Sequence, residues 1–239
     1  MPAGALERAV ELLHHLGSGE SDLTVAELAS EAGMPTSTAY RLLGELEQLG
    51  LVQRAADRRV ALGTRLVALG RSAEAGLRER LVDPASAVMV QLCREVRETV
   101  ILTAPCALEA IVLHVVETEV HSVRLSYALF RRGPMHRGAS GKILAAYLEP
   151  AERGRLLAAV GEPALAAELD RIRAEGFVVT AGELDAGAAA AAAPILDRRG
   201  RLVAGLSVAG PADRIAGDVA AMTAAVTAAA RRIERAHQG

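Results

Sequence analysis

A change of period inside the first 63 residues constrains this chain more than any other feature. Leu6, Val10, Leu13 and Leu16 recur at helical spacing and stop at Gly17. A polar loop follows over residues 18–23. Thr24-Val25-Ala26-Glu27 is then spaced as a capping box. The threonine hydroxyl accepts from the amide three residues on, and the glutamate reaches back. This predicts a helix over residues 25–32, ended by Gly33. Pro35 suits the first turn of a third helix, where its missing N–H costs nothing. That helix should turn Ala39, Leu42, Leu43, Leu46 and Leu49 inward and stop at Gly50. From residue 51 the pattern alternates every second residue. Leu51-Val52-Gln53-Arg54 and Arg59-Val60-Ala61-Leu62 flank Ala55-Ala56-Asp57-Arg58 as a short hairpin.

Helix, capped helix, turn, helix and hairpin is the order of a winged helix-turn-helix. In such a unit the helix after the turn fits a major groove and its first residues reach base edges. Those residues here are Thr36, Ser37, Thr38, Tyr40 and Arg41. The hairpin tip adds Arg58 and Arg59, suited to backbone or minor-groove contact. The whole chain carries a net charge of −2, and acids outnumber arginines over residues 1–65. Residues 51–65, however, set Arg54, Arg58, Arg59 and Arg65 against Asp57 alone, so positive charge is concentrated locally. The competing reading is a winged-helix module used for protein contact.

Past Gly63 a helical pattern resumes with Leu66, Leu69, Ala73 and Leu77, and with Arg65, Arg71, Arg78 and Arg80 outside. It reads as a linker helix, which divides the chain into 1–63, 64–82 and 83–239. The last segment mixes elements without strict βαβ order. Helices are expected over 85–97, 143–147, 163–175 and 218–236. Strands are expected over 99–103, 110–116, 123–125, 177–180, 189–196 and 202–208, with residues 131–134 in a loop and a last turn at Arg198-Arg199-Gly200. The class is α+β. Gly138-Ala139-Ser140-Gly141-Lys142 opens one of these helices. Its small residues let a ligand approach backbone amides at a helix N-terminus, where partial positive charge favours a carboxylate.

Several function classes are excluded. Aromatic residues are 2% of the chain and tryptophan is absent, which rules out a base-stacking platform. Cys93 and Cys106 are too few for a disulfide framework or a four-cysteine zinc site, and read as reduced thiols. No window of about eighteen residues is both apolar and uncharged, and the N-terminus lacks a signal-peptide core. A cytoplasmic protein without membrane contact is expected. A phosphate-binding P-loop is broken by His136 and Ile143, and a nucleophile elbow by Lys142 after Gly141 and by Ala209 after Val208. A Ser140–Lys142 dyad would point its two side chains apart, so catalysis is not expected. His114, Glu117, Glu119 and His121 could approach a metal, but alternation sends His114 and Glu117 to opposite faces of a strand. No metal and no cofactor are expected.

The stretch from Leu6 to Gly63 resembles the DNA-binding domain of the IclR family of bacterial transcriptional regulators. So does the second half. Gly133-Pro134-Met135-His136, Gly141-Lys142-Ile143-Leu144-Ala145, Gly176-Phe177, Glu183 with Gly187, Ala193-Pro194 and Leu206-Ser207-Val208-Ala209-Gly210-Pro211 are similar to that family's effector-domain pattern. The resemblance implies a GAF-like α/β effector-binding domain and a homodimer or a tetramer built as a dimer of dimers. It implies a repressor bound to double-stranded operator DNA and controlled by a small organic acid or aromatic. Its effector site would comprise Leu125, Gly138, Ala139, Ser140, Glu183, Ala190 and Ser207. Ala209 stands where acid-binding members often carry serine, and Thr180-Ala181 replace a frequent acidic pair, which makes the pocket less polar. The alternative function is a small-molecule sensor or enzyme whose N-terminal domain is vestigial.

Overall fold

The capping box forms as its spacing requires. In a computed structural model that describes residues 4–18, 23–55 and 59–237, Thr24 Oγ1 accepts from the Glu27 amide at 3.3 Å and Glu27 Oε2 accepts from the Thr24 amide at 2.8 Å. This launches α2 (Val25–Glu31), which follows α1 (Ala5–Ser18) and precedes α3 (Thr36–Gln48). Gly33 makes the turn between α2 and α3 at φ +59°, with open space where a Cβ would sit, so glycine is needed for backbone freedom alone. The hairpin is β2 (Val52–Arg54) and β3 (Arg59–Leu62). A two-residue strand that the pattern does not announce, β1 (Leu23–Thr24), pairs antiparallel with β3. The expected tip residue Arg58 lies outside the described residues.

The buried face of α1 differs from the expected one. Leu12 and Leu16 are buried, whereas Leu6 is 79% exposed and Val10 40%. The rest of this unit meets only one side of α1, along the line of Ala9, Leu12, Leu13 and Leu16. Leu49 is likewise exposed, because it caps the end of α3 after the last inward turn at Leu46. Gly63 sits against Gly50, and a Cβ there would lie 2.2 Å from the Gly50 carbonyl. From Gly63 the chain enters α4 (Thr64–Leu77), which buries none of its residues.

The chain divides into two units, Met1–Gly76 and Leu77–Gly239. The second opens with one π-helical stretch, Arg78–Val82, which runs into α5 (Asp83–Val96). Its sheet has six antiparallel strands in the order β6-β5-β4-β9-β8-β7. These are β4 (Thr99–Cys106), β5 (Glu109–Val116), β6 (Arg132–Pro134), β7 (Val178–Ala181), β8 (Ala188–Leu196) and β9 (Leu202–Pro211). The segment 123–125 is not a strand. It finds no neighbouring strand, and is held instead by Thr99 Oγ1, which donates to the Leu125 carbonyl at 2.7 Å. The expected loop at residues 131–134 contains β6, an edge strand short enough to look like a turn in sequence.

Helices cover both faces of the sheet. On one face α5 and α10 (Val219–His237) pack Met89, Leu92, Val226 and Ile233 against Val100, Leu102, Leu206 and Val208. On the other lie α6 (Ala139–Tyr147) and α8 (Leu165–Glu175), through Ile143, Leu144, Leu169 and Ile172. Two further helices, α7 (Pro150–Val160) and α9 (Ala212–Gly217), carry little apolar periodicity and were not anticipated. Pro194 is tolerated inside β8 because β7 has already ended, its last pair being Val178 with Ala192.

One charged group is sealed into this unit. The Glu98 side chain is 2% exposed, and Arg214 at α9 donates to both its oxygens, with Nη2 to Oε2 at 2.9 Å. Gly210 makes room for the carboxylate, since a Cβ there would lie 2.5 Å from Glu98 Oε2. Arg214→Ala leaves that carboxylate buried and unpaired. It should destabilise the second unit by about 3 kcal/mol, the usual scale for such a loss, read as a lowered denaturant midpoint.

Candidate functional site

Two surfaces carry polar chemistry. The first is the exposed side of α3. Its buried residues, Ala39, Leu42, Leu43 and Leu46, fix which side faces outward. Thr36, Ser37, Tyr40 and Arg41 are exposed and Thr38 is half-buried. Arg41 Nη1 donates to Glu45 Oε1 at 2.6 Å, one turn along the helix. From the wing, Arg54 Nε reaches Glu47 Oε2 at 2.9 Å, and its guanidinium lies 5.9 Å from the Tyr40 ring centre. Exposed ion pairs of this kind are worth at most about 1 kcal/mol, so a phosphate or a base edge can displace the carboxylates. Arg59 is exposed at the start of β3. Arg54 joins this surface although its sequence position marked it only as part of the basic stretch.

The second surface is a cavity of about 190 Å3 in the unit Leu77–Gly239. Ile101, Val112, Ala190 and Ala209 form an apolar floor on the α6 side of the sheet. The first turn of α6 forms one wall, through Gly138, Ala139, Ser140 and Gly141. The amides that open a helix have no intrahelical acceptor. The Gly138 amide is already taken, donating to Glu183 Oε2 at 2.9 Å. The loop between β7 and β8 forms another wall, with Gly182, Glu183, Leu184 and Asp185. Tyr127, Arg131, Arg132 and Arg137 bring further polar groups to the lining, with Arg132 Nη1 donating to Glu109 Oε2 at 2.8 Å. Among the described residues neither Arg131 nor Arg137 has a carboxylate partner within ion-pair distance. Burial, with Asp185 nearby, holds the Tyr127 phenol above its ordinary pKa, so it stays a hydrogen-bond donor.

Five of the seven expected effector residues, Gly138, Ala139, Ser140, Glu183 and Ala190, line this one cavity. Two do not. Ser207 is wholly buried behind the wall, its Oγ 2.8 Å from Ser140 Oγ. Leu125 packs at the edge of the Ile101–Val112–Ala209 group. Sequence reasoning missed Tyr127, Arg131 and Arg137. The two arginines flank the Gly133-Pro134-Met135-His136 run that leads into α6, and that flanking was the available signal.

Lys142, the only lysine in the chain, stands behind the α6 wall with its side chain 8% exposed. Its Nζ donates to Glu168 Oε1 at 2.8 Å and to Glu183 Oε1 at 2.7 Å. Burial alone would lower its pKa, but the bonds to Glu168 and Glu183 outweigh burial and raise it, so the ammonium is charged. Ser140 thus faces Ser207 and Lys142 faces two carboxylates, an arrangement that gives no Ser–Lys dyad. His114 is half-buried on β5, and burial and then Arg78 lower its pKa. Glu117 lies beyond the end of β5 and accepts from Ser126 and Arg124. Among the described residues no group of three or more His, Cys, Asp or Glu side chains is placed to hold a metal ion, and no helix is long and apolar enough to cross a membrane.

Comparison with known proteins gives the same two-part division. Residues 5–56 match the IclR helix-turn-helix domain, and residues 77–235 match the bacterial transcriptional regulator IclR C-terminal family. The HTH-type transcriptional regulator KipR of Bacillus subtilis is 32% identical over 79% of this chain and 78% of its own length. The transcriptional repressor IclR of Escherichia coli is 29% identical over 96% of this chain and 90% of its own. Among solved structures, an IclR homolog of Microbacterium hydrocarbonoxydans complexed with 4-hydroxybenzoate is 26% identical. It superposes with a TM-score of 0.69 over 98% of this chain and 99% of that one.

The Lys142 cluster can be tested directly. Lys142→Met keeps the length and the apolar stem but leaves Glu168 and Glu183 facing each other without a cation. It should destabilise the unit by about 3 kcal/mol, measured by chemical denaturation, and Lys142→Arg should recover most of that loss.

Proposed function

The chain belongs to the IclR family of bacterial transcriptional regulators, and from that membership we propose how it binds DNA and what controls it. The start of α3 enters a major groove of operator DNA, with Thr36, Ser37, Thr38, Tyr40 and Arg41 at base edges and phosphates. The wing, with Arg54, Arg58 and Arg59, lies along the adjacent backbone. A homodimer, or a pair of dimers, sets two such helices on a near-palindromic site. The protein acts as a repressor, as the E. coli relative's name states of that protein. Binding and a shift of population do the work, without catalysis.

The observation that carries the control reading is the cavity walled by the first turn of α6. A cavity of about 150 Å3 holds one benzene ring, so 190 Å3 suits a single substituted ring or an aliphatic acid of similar bulk. The apolar floor of Ile101, Val112, Ala190 and Ala209 fits the hydrocarbon part. The open amides of α6, the Tyr127 hydroxyl and the guanidinium groups of Arg131 and Arg137 fit a carboxylate. A relative's complex with 4-hydroxybenzoate supports this class. Effector binding then changes operator affinity through differential stability of two states, carried from the second unit by the helix that begins at Thr64.

Two outcomes test this. Arg41→Ala should weaken operator binding by about 1–3 kcal/mol, the scale of one base contact, and leave random DNA much less affected. Equal losses on both DNAs, in gel-shift titrations, would reassign Arg41 to a phosphate. For the cavity, a thermal-shift screen of small aromatic and aliphatic carboxylates on the full chain should find a stabilising ligand. Ala139→Leu fills the α6 wall and Ala190→Leu the floor. Each should abolish that shift while operator binding persists without ligand. Undiminished shifts in both variants would remove this cavity from effector binding.

A further inference from the structure

The β7–β8 loop is built as a separate piece. Both of its ends are glycines in the left-handed region, Gly182 at φ +68° and Gly187 at φ +81°, and neither has an atom near the place of a Cβ. Packing therefore does not explain them, and backbone conformation does. The loop is closed at its base, where the Gly182 amide donates to the Ala188 carbonyl at 2.8 Å and the Ala188 amide to the Asp185 carbonyl at 3.1 Å. The Gly182–Ala188 bond and the bond from the Ala212 amide to the Gly187 carbonyl at 2.7 Å fix the two ends, so residues between them can swing about the glycines at the cost of the one Ala188–Asp185 bond that crosses the Gly187 hinge. Residues 182–185 form a wall of the cavity.

What holds this wall in place converges on Gly138. Glu183 spans it, one oxygen on the Gly138 amide at 2.9 Å and the other on Lys142 Nζ at 2.7 Å. Leu184, itself 53% exposed, packs so closely that a Cβ on Gly138 would lie 2.5 Å from its Cδ1. Glu168, on α8 and away from the cavity, holds the other side of Lys142 at 2.8 Å.

We propose that residues 182–187 are a flap that gates the cavity, latched shut by Glu183 on Gly138 and Lys142, with Lys142 and Glu168 as positioning residues. Release of the Glu183 carboxylate frees the Gly138 amide and opens the wall about the two glycines, and re-latching closes the wall over a ligand. The purpose of the flap rests on the effector reading given above, but its motion does not. Glu183→Ala removes the latch and leaves Lys142 paired with Glu168, so no buried cation is orphaned and the fold is retained.

The experiment therefore uses no effector. On a Cys106→Ser background, which removes the exposed thiol and leaves Cys93 buried, Ala209→Cys places a thiol on the cavity floor. Its modification by methyl methanethiosulfonate is followed by mass spectrometry. Glu183→Ala should speed labelling about tenfold, as expected for loss of a charge-assisted bond from a local opening equilibrium. Glu183→Gln, which keeps the acceptor but not the charge, should fall between. Without the engineered thiol, amide exchange in Glu183→Ala should rise at Gly138 and at Ala188, whose amide is bonded across the hinge to Asp185, and stay unchanged in the rest of β8 and in β9. Labelling and exchange equal to the parent would overturn the proposal, as would a rise spread over the whole unit. Either result would leave effector binding to be judged by the thermal-shift screen alone.

Discussion

The second unit depends on how closely two helical layers can approach one strand. Six consecutive alanines, Ala188–Ala193, are the strongest helix-forming run in the chain by intrinsic propensity. They nevertheless form the body of β8, between β7 and β9. Their side chains alternate, Ala191 and Ala193 toward the α10 face and Ala192 toward the α6 face. A larger residue on the first face would push α10 away, and on the second it would fill the cavity floor. Burial between two covered faces outweighs a propensity difference of a few tenths of a kcal/mol per residue. The same smallness that lets the layers close leaves the space in which a ligand can sit.

Around that space the charges are divided by burial. The enclosed ones are matched. Glu98 is answered by Arg214, and Lys142 by Glu168 and Glu183. The exposed ones at the cavity, Arg131 and Arg137, are not matched by carboxylates among the described residues. Burying a charge without a partner is costly, whereas an exposed guanidinium is stabilised by water and can await an anion. In the first unit Arg41 and Arg54 are exposed and paired with glutamates. Such pairs keep the side chains extended over the α3 surface at little energetic depth, so they yield to a polyanion.

Much of the first unit was legible because its signals are local. Thr24 and Glu27 meet within one turn, Gly33 and Gly50 need only their own φ, and the hairpin follows from strict alternation. The errors fall where a neighbour decides. Leu6 and Val10 are as apolar as Leu12, but only the line through Leu12 meets the rest of the unit. Residues 123–125 alternate like a strand without a partner strand, and β6 is one because β5 lies beside it. Helix α7 buries only Leu156, too little to set a period. In the cavity the glycine-rich turn before α6 was readable, while Tyr127 is brought to it only by the path of the loop before β6.

The sequence by itself determined the order of the helices and the hairpin in the first unit, the exposed start of α3, the small-residue turn at residues 138–141 and the family resemblance. Tertiary structure decided that six alanines form a strand. It also put Ser207 behind the cavity wall instead of in it, and made the lone lysine the link between α6, α8 and the β7–β8 loop. The division has one physical cause. Caps, turns and periodicities act over a few residues and are written where they act. Which face is buried, which charge is matched and where space remains depend on groups far apart in the chain, as Lys142 and Glu183 are, that meet only when the sheet and its two helical layers have closed.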